Sequence, residues 1–492
     1  MEIYLQTKEE KQVYFSKMQK RLKQEVLLAT KYLNFGVKII RVQCYTLEIL
    51  PFLEQQFSFV LDDEAKYFDE TIMVWKEENF SSCMVSLSDA LNPLKNIRLR
   101  VEKVCNNRKY PSVSVFHGKD LVLFGDASNQ VIELYDDACH VCYYGVSNFN
   151  PEELIKQGHL FIQVLNKFLK RKDLNLTHGA VLGLDNQGVL LCARGQRGKS
   201  TLAVHALING FDYVSDDYQI LKQDADGLYA YPIYSIITLS PYMYTKMYNC
   251  FEGKFCCNNA RKDKYVFDIS KYHSQFRVHY PIRLALFPEI VNHTAPSIEV
   301  CSIQDRERAI VQLIHSTVMQ MRDLNNHEVI QKLFNMVSSL PFYKINLCAD
   351  ISKNTECLRN FLEMRSFVPP AREVLKGVLV DITFDLATFL DVETYTLYSM
   401  NKFATDVYIN LSGGFSEEEI WTHLEELQQK NEKLQEAFQL FVSILRQKNF
   451  VRKKCFVGNI PNLNATYAAE CGYKLSVLEF AESKTIELIN IK

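Results

Sequence analysis

The octapeptide Ala193-Arg194-Gly195-Gln196-Arg197-Gly198-Lys199-Ser200 constrains this chain more than any other stretch. A loop that cradles phosphate needs backbone N–H groups aimed at one anion, a lysine for the β/γ-phosphates and a hydroxyl for a magnesium ion. Gly198 supplies conformational freedom, Lys199 the charge and Ser200 the hydroxyl. Such a loop must follow a strand and open a helix, so that the helix's positive end faces the phosphate. Upstream, "HGAVLGL" (178–184) and "GVLLCA" (188–193) are apolar runs split by the turn formers Asp185-Asn186-Gln187-Gly188. Downstream, Thr201 to Ile208 reads as a helix, with Gly210 as its stop. The nucleotide-binding set expected here is Ala193, Arg194, Gly195, Gln196, Arg197, Gly198, Lys199, Ser200 and Thr201.

The next strand, "FDYVSDD", ends in Asp216 and Asp217. Adjacent carboxylates are commonly turn formers. Directly after the helix of a phosphate loop they have a second use. One would hold magnesium and the other would take a proton from an attacking hydroxyl. Which aspartate takes which role is left open by the sequence; the expectation leans to Asp216 as base, with Asp217 and Ser200 for the metal.

These residues resemble the core of the HPr kinase/phosphorylase superfamily, whose nucleotide fold is related to that of phosphoenolpyruvate carboxykinases. The resemblance is carried by His178-Gly179 before the loop, the loop itself, and Val214-Ser215-Asp216-Asp217 after one helix. It implies that His178 lies beside the transferred phosphate and that His178, Asp216 and Asp217 are the catalytic group, with ATP and magnesium as cofactors. Gln196 and Arg197 stand where the family has small residues, and no Glu-x-Arg-Gly stretch follows Asp217. Those departures point away from HPr itself and from the phosphorylase reaction. The better match is to HPr-kinase-related proteins of bacterial peptide-modifying gene clusters.

At 492 residues the chain has room for three domains. A net charge of −2 gives no electrostatic reason to expect nucleic acid or an anionic membrane as partner. The first residues are charged throughout, no apolar run is as long as a bilayer span, and a cytoplasmic protein is expected. Fourteen cysteines are scattered. Cys139-x-x-Cys142 is a lone pair where zinc normally wants two, inside a stretch that alternates like a strand. We expect an amphipathic helix over 8–33, short strands between 38 and 147, and a helix over 150–172 capped by Asn150-Pro151. His159 on that helix and His315 within 305–324 read as packing residues.

Beyond the consecutive prolines of "FVPP" (367–370), three strands precede helical stretches at 401–412, 416–429 and 432–449, the second opened by the capping box Ser416-x-x-Glu419. This winged-helix-like pattern resembles the PqqD family of peptide-recognition domains, through "YTLYSMN", "KFATDVYINLSGG" and "FSEEEIWTHL". The resemblance implies that a precursor (leader) peptide adds as a strand at Tyr395, Thr396, Leu397 and Tyr398.

The expected architecture is multidomain α/β. It comprises an N-terminal α+β region (1–147), an HPr-kinase-like P-loop core (148–366), a PqqD-like domain (367–454) and an unassigned tail (455–492). The expected activity is ATP-dependent phosphorylation of a hydroxyl side chain on a ribosomally made precursor peptide. The alternative is a non-catalytic, nucleotide-dependent adaptor that presents such a peptide to another enzyme.

Overall fold

The computed structural model describes residues 4–5, 25–76, 113–118, 121–126, 131–136, 139–146, 159–170, 174–240, 255–259, 264–269, 272–291, 295–320, 326–364, 367, 375–427, 432–448, 450–451 and 477–480, with Met243, Thr245 and Met247. Its N-terminal sheet contains β1 (Tyr4–Leu5), β2 (Ala29–Asn34), β3 (Ile39–Cys44), β4 (Leu61–Asp62), β5 (Glu70–Lys76), β6 (Val113–Gly118), β7 (Leu121–Asp126), β8 (Val131–Asp136) and β9 (Val141–Val146). They run in the order β1-β6-β7-β8-β9-β5-β3-β2-β4. Helices α1 (Leu50–Phe57) and α2 (Ile162–Lys170) place Phe52, Leu53, Leu165 and Phe168 in one core with Ile40, Val42, Ile72 and Val74 from the sheet.

The second sheet is built from β10 (Asn175–Leu184), β11 (Gln187–Leu191), β12 (Asp212–Asp224), β13 (Gly227–Pro232), β17 (Tyr280–Ile290), β18 (Ser297–Val300) and β19 (Phe342–Leu347). Its order is β11-β10-β12-β13-β17-β19-β18, and β11 also pairs in parallel with β17, so five strands close on themselves. The β10–β11 hairpin turns through Asp185 (φ 49°) and Asn186 (φ 62°), a two-residue turn with both central residues left-handed. Helices α3 (Lys199–Ile208) and α6 (Ile351–Glu363) bury Leu202, Leu207, Leu358 and Leu362 against Ala180, Leu182 and Leu191. The opposite core takes Val181, Leu190 and Val214 against α4 (Ile303–Val318) and α5 (Asn326–Ser338). A small sheet of β14 (Ile236–Leu239), β16 (Lys264–Asp268) and β15 (Phe255–Asn259) flanks α3.

The C-terminal sheet has the order β20 (Val378–Thr383), β21 (Leu386–Asp391), β22 (Thr396–Met400), β23 (Val477–Phe480). Alternation along β20–β22 divides it between two cores. Leu379, Leu390 and Leu397 join the core of α4 and α5. Phe389, Tyr398 and Met400 pack with α7 (Lys402–Gly413), α8 (Glu417–Leu427) and α9 (Glu432–Gln447). The C-terminal sheet thus shares a hydrophobic core with Leu190, Ala193 and Val214 of the central sheet and the loop that follows β11. The capping box closes α8, with Ser416 N–H donating to Glu419 at 2.7 Å and Glu419 N–H to the Ser416 hydroxyl at 3.2 Å.

Four expectations are corrected. The helix over 8–33 is absent from Glu25 onward: 25–28 are irregular and 29–34 pairs with β3 across a turn at left-handed Gly36; residues 8–24 lie outside the described residues. Cross-strand pairing overrides the helical periodicity there. The helix over 150–172 is described only as Ile162–Lys170; Phe161, at φ 63°, breaks it, and its expected cap lies outside the described residues. The strand expected to end at the aspartates runs through them to Asp224. The edge at 395–400 is not open: β22 pairs with β21 on one side and with β23, from the unassigned tail, on the other. Cys139 lies in a turn and Cys142 on β9, and no group of three or more His, Cys, Asp or Glu is placed to hold a metal among the described residues. No described helix is long and apolar enough to cross a membrane.

Candidate phosphate-binding site

The loop leaves β11 and enters α3 at Gly198, whose φ of 87° is left-handed; a β-carbon there would also meet the tip of the Leu347 side chain at 2.6 Å. The left-handed backbone selects glycine. Gln196 is also left-handed, at φ 65°, and as a residue with a Cβ it carries strain there. No side chain caps α3, so the N–H groups of its first turn remain directed along its positive end. Ala193 is fully buried. Gly195 has open space around its Cα, while Ser200 and Thr201 are half-buried in the first turn of α3. Lys199 is buried, and its Nζ donates to the carbonyls of Ala193 at 2.5 Å and Arg194 at 3.1 Å. The loop's charge therefore sits inside the loop's own curve.

Registers place the aspartates level with the loop. Ala180 of β10 lies opposite Leu191 on one side and Asp216 on the other. With about 5 Å between neighbouring strands, Asp216 lies about 10 Å across the sheet from the strand end that launches the loop. Directly opposed residues share a face, so Asp216 lies on the face of Ala180, the one α3 covers.

In a regular strand the next side chain would point the other way. It does not, because Asp217 has φ 78°. Its carboxylate meets His178 Nε2 at 3.6 Å and His159 Nε2 at 4.0 Å, and accepts from the Thr238 hydroxyl at 3.2 Å. His178 stands two residues before Ala180 on β10, hence on the same face. A left-handed kink inside a strand is what turns two consecutive carboxylates toward one side. His178 is itself fixed through its backbone N–H, which donates to Thr317 of α4 at 3.0 Å.

The loop's arginines turn toward the C-terminal sheet, Arg194 buried and Arg197 half-buried. Arg194 is buried, its guanidinium donating to the Thr388 hydroxyl and lying 3.4 Å from the Asp381 carboxylate. Burial pulls its pKa down, Asp381 opposes that and Arg197 adds to it. Arg197 reaches Thr383 at 3.4 Å and stacks over Phe384, 5.3 Å from the ring centre. Gln312 of α4 ties the two parts together. It accepts from the Arg194 backbone N–H at 3.0 Å and donates to Asp381 at 2.9 Å and Thr383 at 3.1 Å.

The structure thus brings the loop, His178, Asp216 and Asp217 to one end of one sheet. It places the expected peptide contacts elsewhere: Thr396, Leu397 and Tyr398 are buried on β22, and Tyr395 packs edge-on against His327. Sequence reading missed three groups. His159, read as packing, joins the site beside Asp217 and between Tyr218 and Tyr234. Thr238 and the Asp381–Thr383–Thr388 set come from distant segments with no local motif to reveal them.

Among solved structures, the chain is similar to the HPr(Ser) kinase/phosphatase from Coxiella burnetii, at 15% identity over 39% of this chain and 99% of that one, with a TM-score of 0.23. No protein-family profile and no curated protein matches the sequence. The functional reading therefore rests on the site's own residues.

Proposed function

We propose that the chain is an ATP-dependent kinase that transfers the γ-phosphoryl group to a hydroxyl side chain of a peptide. The observation that carries this reading is the left-handed Asp217, turned beside Asp216 onto the face shared by His178 and the loop helix. Strain of this kind costs about 1–3 kcal/mol and persists where surrounding structure enforces it, characteristically at functional sites. A site that only stored nucleotide would have no use for a second carboxylate held in this way.

The roles follow from placement. Backbone N–H groups at the start of α3 and the Lys199 ammonium would receive the β- and γ-phosphates. Lys199 would exchange its loop carbonyls for phosphate oxygens. Asp217, the more accessible carboxylate at 15% exposure, is the better-placed base for an entering hydroxyl, with His178 beside it orienting the carboxylate and the phosphoryl oxygens. Asp216, 3% exposed, and the Ser200 hydroxyl supply the hard oxygen donors that would hold a magnesium ion keeping most of its waters. When bound, that ion would supply charge neutralisation across the phosphates. Of the two divisions of labour the sequence left open, this reading takes Asp217 as base, because the backbone at Asp217 brings its carboxylate to His178.

The peptide reading is supported by the strand-and-helix pattern of 378–447 and by β23, described over four residues, which occupies the β22 edge. A leader strand would enter by exchanging with β23. The adaptor reading is favoured by one feature, the burial of Lys199 on its own loop carbonyls. Purified chain, γ-labelled ATP and peptides bearing Ser, Thr or Tyr decide between them. Label in a phosphoamino acid supports the kinase. ATP binding with no transfer to any hydroxyl supports the adaptor.

A further inference from the structure

The phosphate loop is held by the C-terminal domain. Arg194 and Arg197, both inside the loop, end on Asp381, Thr383, Phe384 and Thr388 of the β20–β21 hairpin, almost two hundred positions later in the chain. Asp381 is 1% exposed and Thr388 fully buried, so these are interior contacts and not surface pairs weakened by water. Gln312 closes the circuit by binding the loop backbone at Arg194 with its oxygen, and Asp381 and Thr383 with its nitrogen. The Arg194 N–H is thereby committed to α4, which fixes the direction in which the following loop N–H groups point. Phe384 and Asp385 form the hairpin's turn with both residues left-handed, at φ 53° and 60°, and this turn carries the ring that covers Arg197.

We propose that Asp381 is a positioning residue for the phosphate loop, so that the nucleotide site is completed by the C-terminal domain and its conformation is read by that domain. The proposal deepens the kinase reading and rests on it for its nucleotide consequence. Asp381 touches no substrate; it acts on the loop through Arg194 and Gln312, and it also lies 3.7 Å from Arg308 Nε, an arginine that Glu289 and Asp305 hold as well. Removing its charge leaves the buried Arg194 guanidinium without a counter-ion, and the loop must shift to rehydrate it. A change in how the β20–β21 hairpin sits, for instance on occupation of the neighbouring β22, would reach the loop by the same contacts.

The test uses the full chain with Asp381→Asn, Thr388→Val and Arg194→Gln, and two readouts. Amide hydrogen exchange of the loop segment 193–201, measured without nucleotide, should speed up at least tenfold in Asp381→Asn, while β17 and β19 keep their protection. The KM for ATP should rise about tenfold with kcat within about threefold, because the loop is misplaced while the base is intact. The double variant Asp381→Asn/Arg194→Gln should be no worse than the worse single variant, the signature of two residues acting through one contact. If Asp381→Asn unfolds the chain, Thr388→Val removes only the hydroxyl that accepts from Arg194 and should show the same changes in weaker form. Unchanged loop exchange in the folded variants, or strictly additive effects, would overturn the proposal. A wild-type chain that binds no ATP would instead refute the kinase reading, and the exchange measurement would still decide whether Asp381 holds the loop.

Discussion

Asp217 offers a test that separates backbone strain from chemistry. Asp217→Ala and Asp217→Gly both delete the contacts to His178, His159 and Thr238, so their difference isolates one methyl group on a backbone at φ 78°. A Cβ in left-handed geometry costs roughly 1–2 kcal/mol. Glycine gives back about 0.5–1 kcal/mol through its more flexible unfolded chain. The glycine variant should therefore be more stable than the alanine variant by about 0.5–1 kcal/mol. For a domain of this size that is a melting difference of about 1–4 °C, measurable by scanning calorimetry. Asparagine tolerates left-handed geometry, so Asp217→Asn should fold as the wild type does and bind ATP normally. It should slow transfer by about 10²–10⁴-fold, the range for loss of a general base. An alanine variant as stable as glycine would refute the strained backbone. An asparagine variant with transfer within about threefold of wild type would refute the assignment of Asp217 as base.

Three further outcomes follow from the fold. Burial, with Arg194 nearby, holds the pKa of His315 well below its ordinary 6.5, and burial also lowers that of His205. A depressed histidine pKa means the unfolded chain binds the proton first. Stability is then fully present above about pH 6.5 and falls as the pH drops toward the folded-state values; His315→Gln should flatten that fall in thermal melts across pH 5–7. Removing β23 (477–480) should expose the β22 edge and raise the affinity of a leader peptide in a fluorescence-polarisation titration; unchanged affinity would place peptide binding elsewhere. A chain ending at residue 366 should melt well below the full chain and bind ATP poorly, since Leu379, Leu390 and Leu397 complete the core of α4 and α5. Retention of normal ATP affinity in that truncated chain would contradict the shared core.

Local signals were legible and long-range ones were not. The β10–β11 hairpin, the glycine at 198, the stop at Gly210 and the helices of 402–447 each follow from residues adjacent in sequence, through turn chemistry, caps and periodicity. The N-terminal helix expected over 8–33 gave way to strand from Ala29 because its partner, β3, lies across a turn that periodicity does not register. Asp217's φ depends on what packs around β12, so nothing in "VSDD" announced it. His159 entered the site because α2 lies against β10 and Tyr218, a contact that spans about sixty residues. Arg194 and Arg197 were expected among the nucleotide-binding residues, and their side-chain contacts with Asp381 and Thr383 could not be read from the loop itself. Their partners carry no motif: an Asp and a Thr two apart on a strand are unremarkable until the strand packs on α4.

Lys199, at the start of α3, and the paired aspartates are proposed to serve one phosphoryl transfer. The most direct test is transfer of γ-labelled phosphate from ATP to a peptide hydroxyl by the full chain and by Lys199→Ala, with folding checked by circular dichroism. The wild type should transfer phosphate, and a folded Lys199→Ala should lose most of that transfer and bind ATP more weakly. Equal transfer by the two proteins would remove the loop from the mechanism.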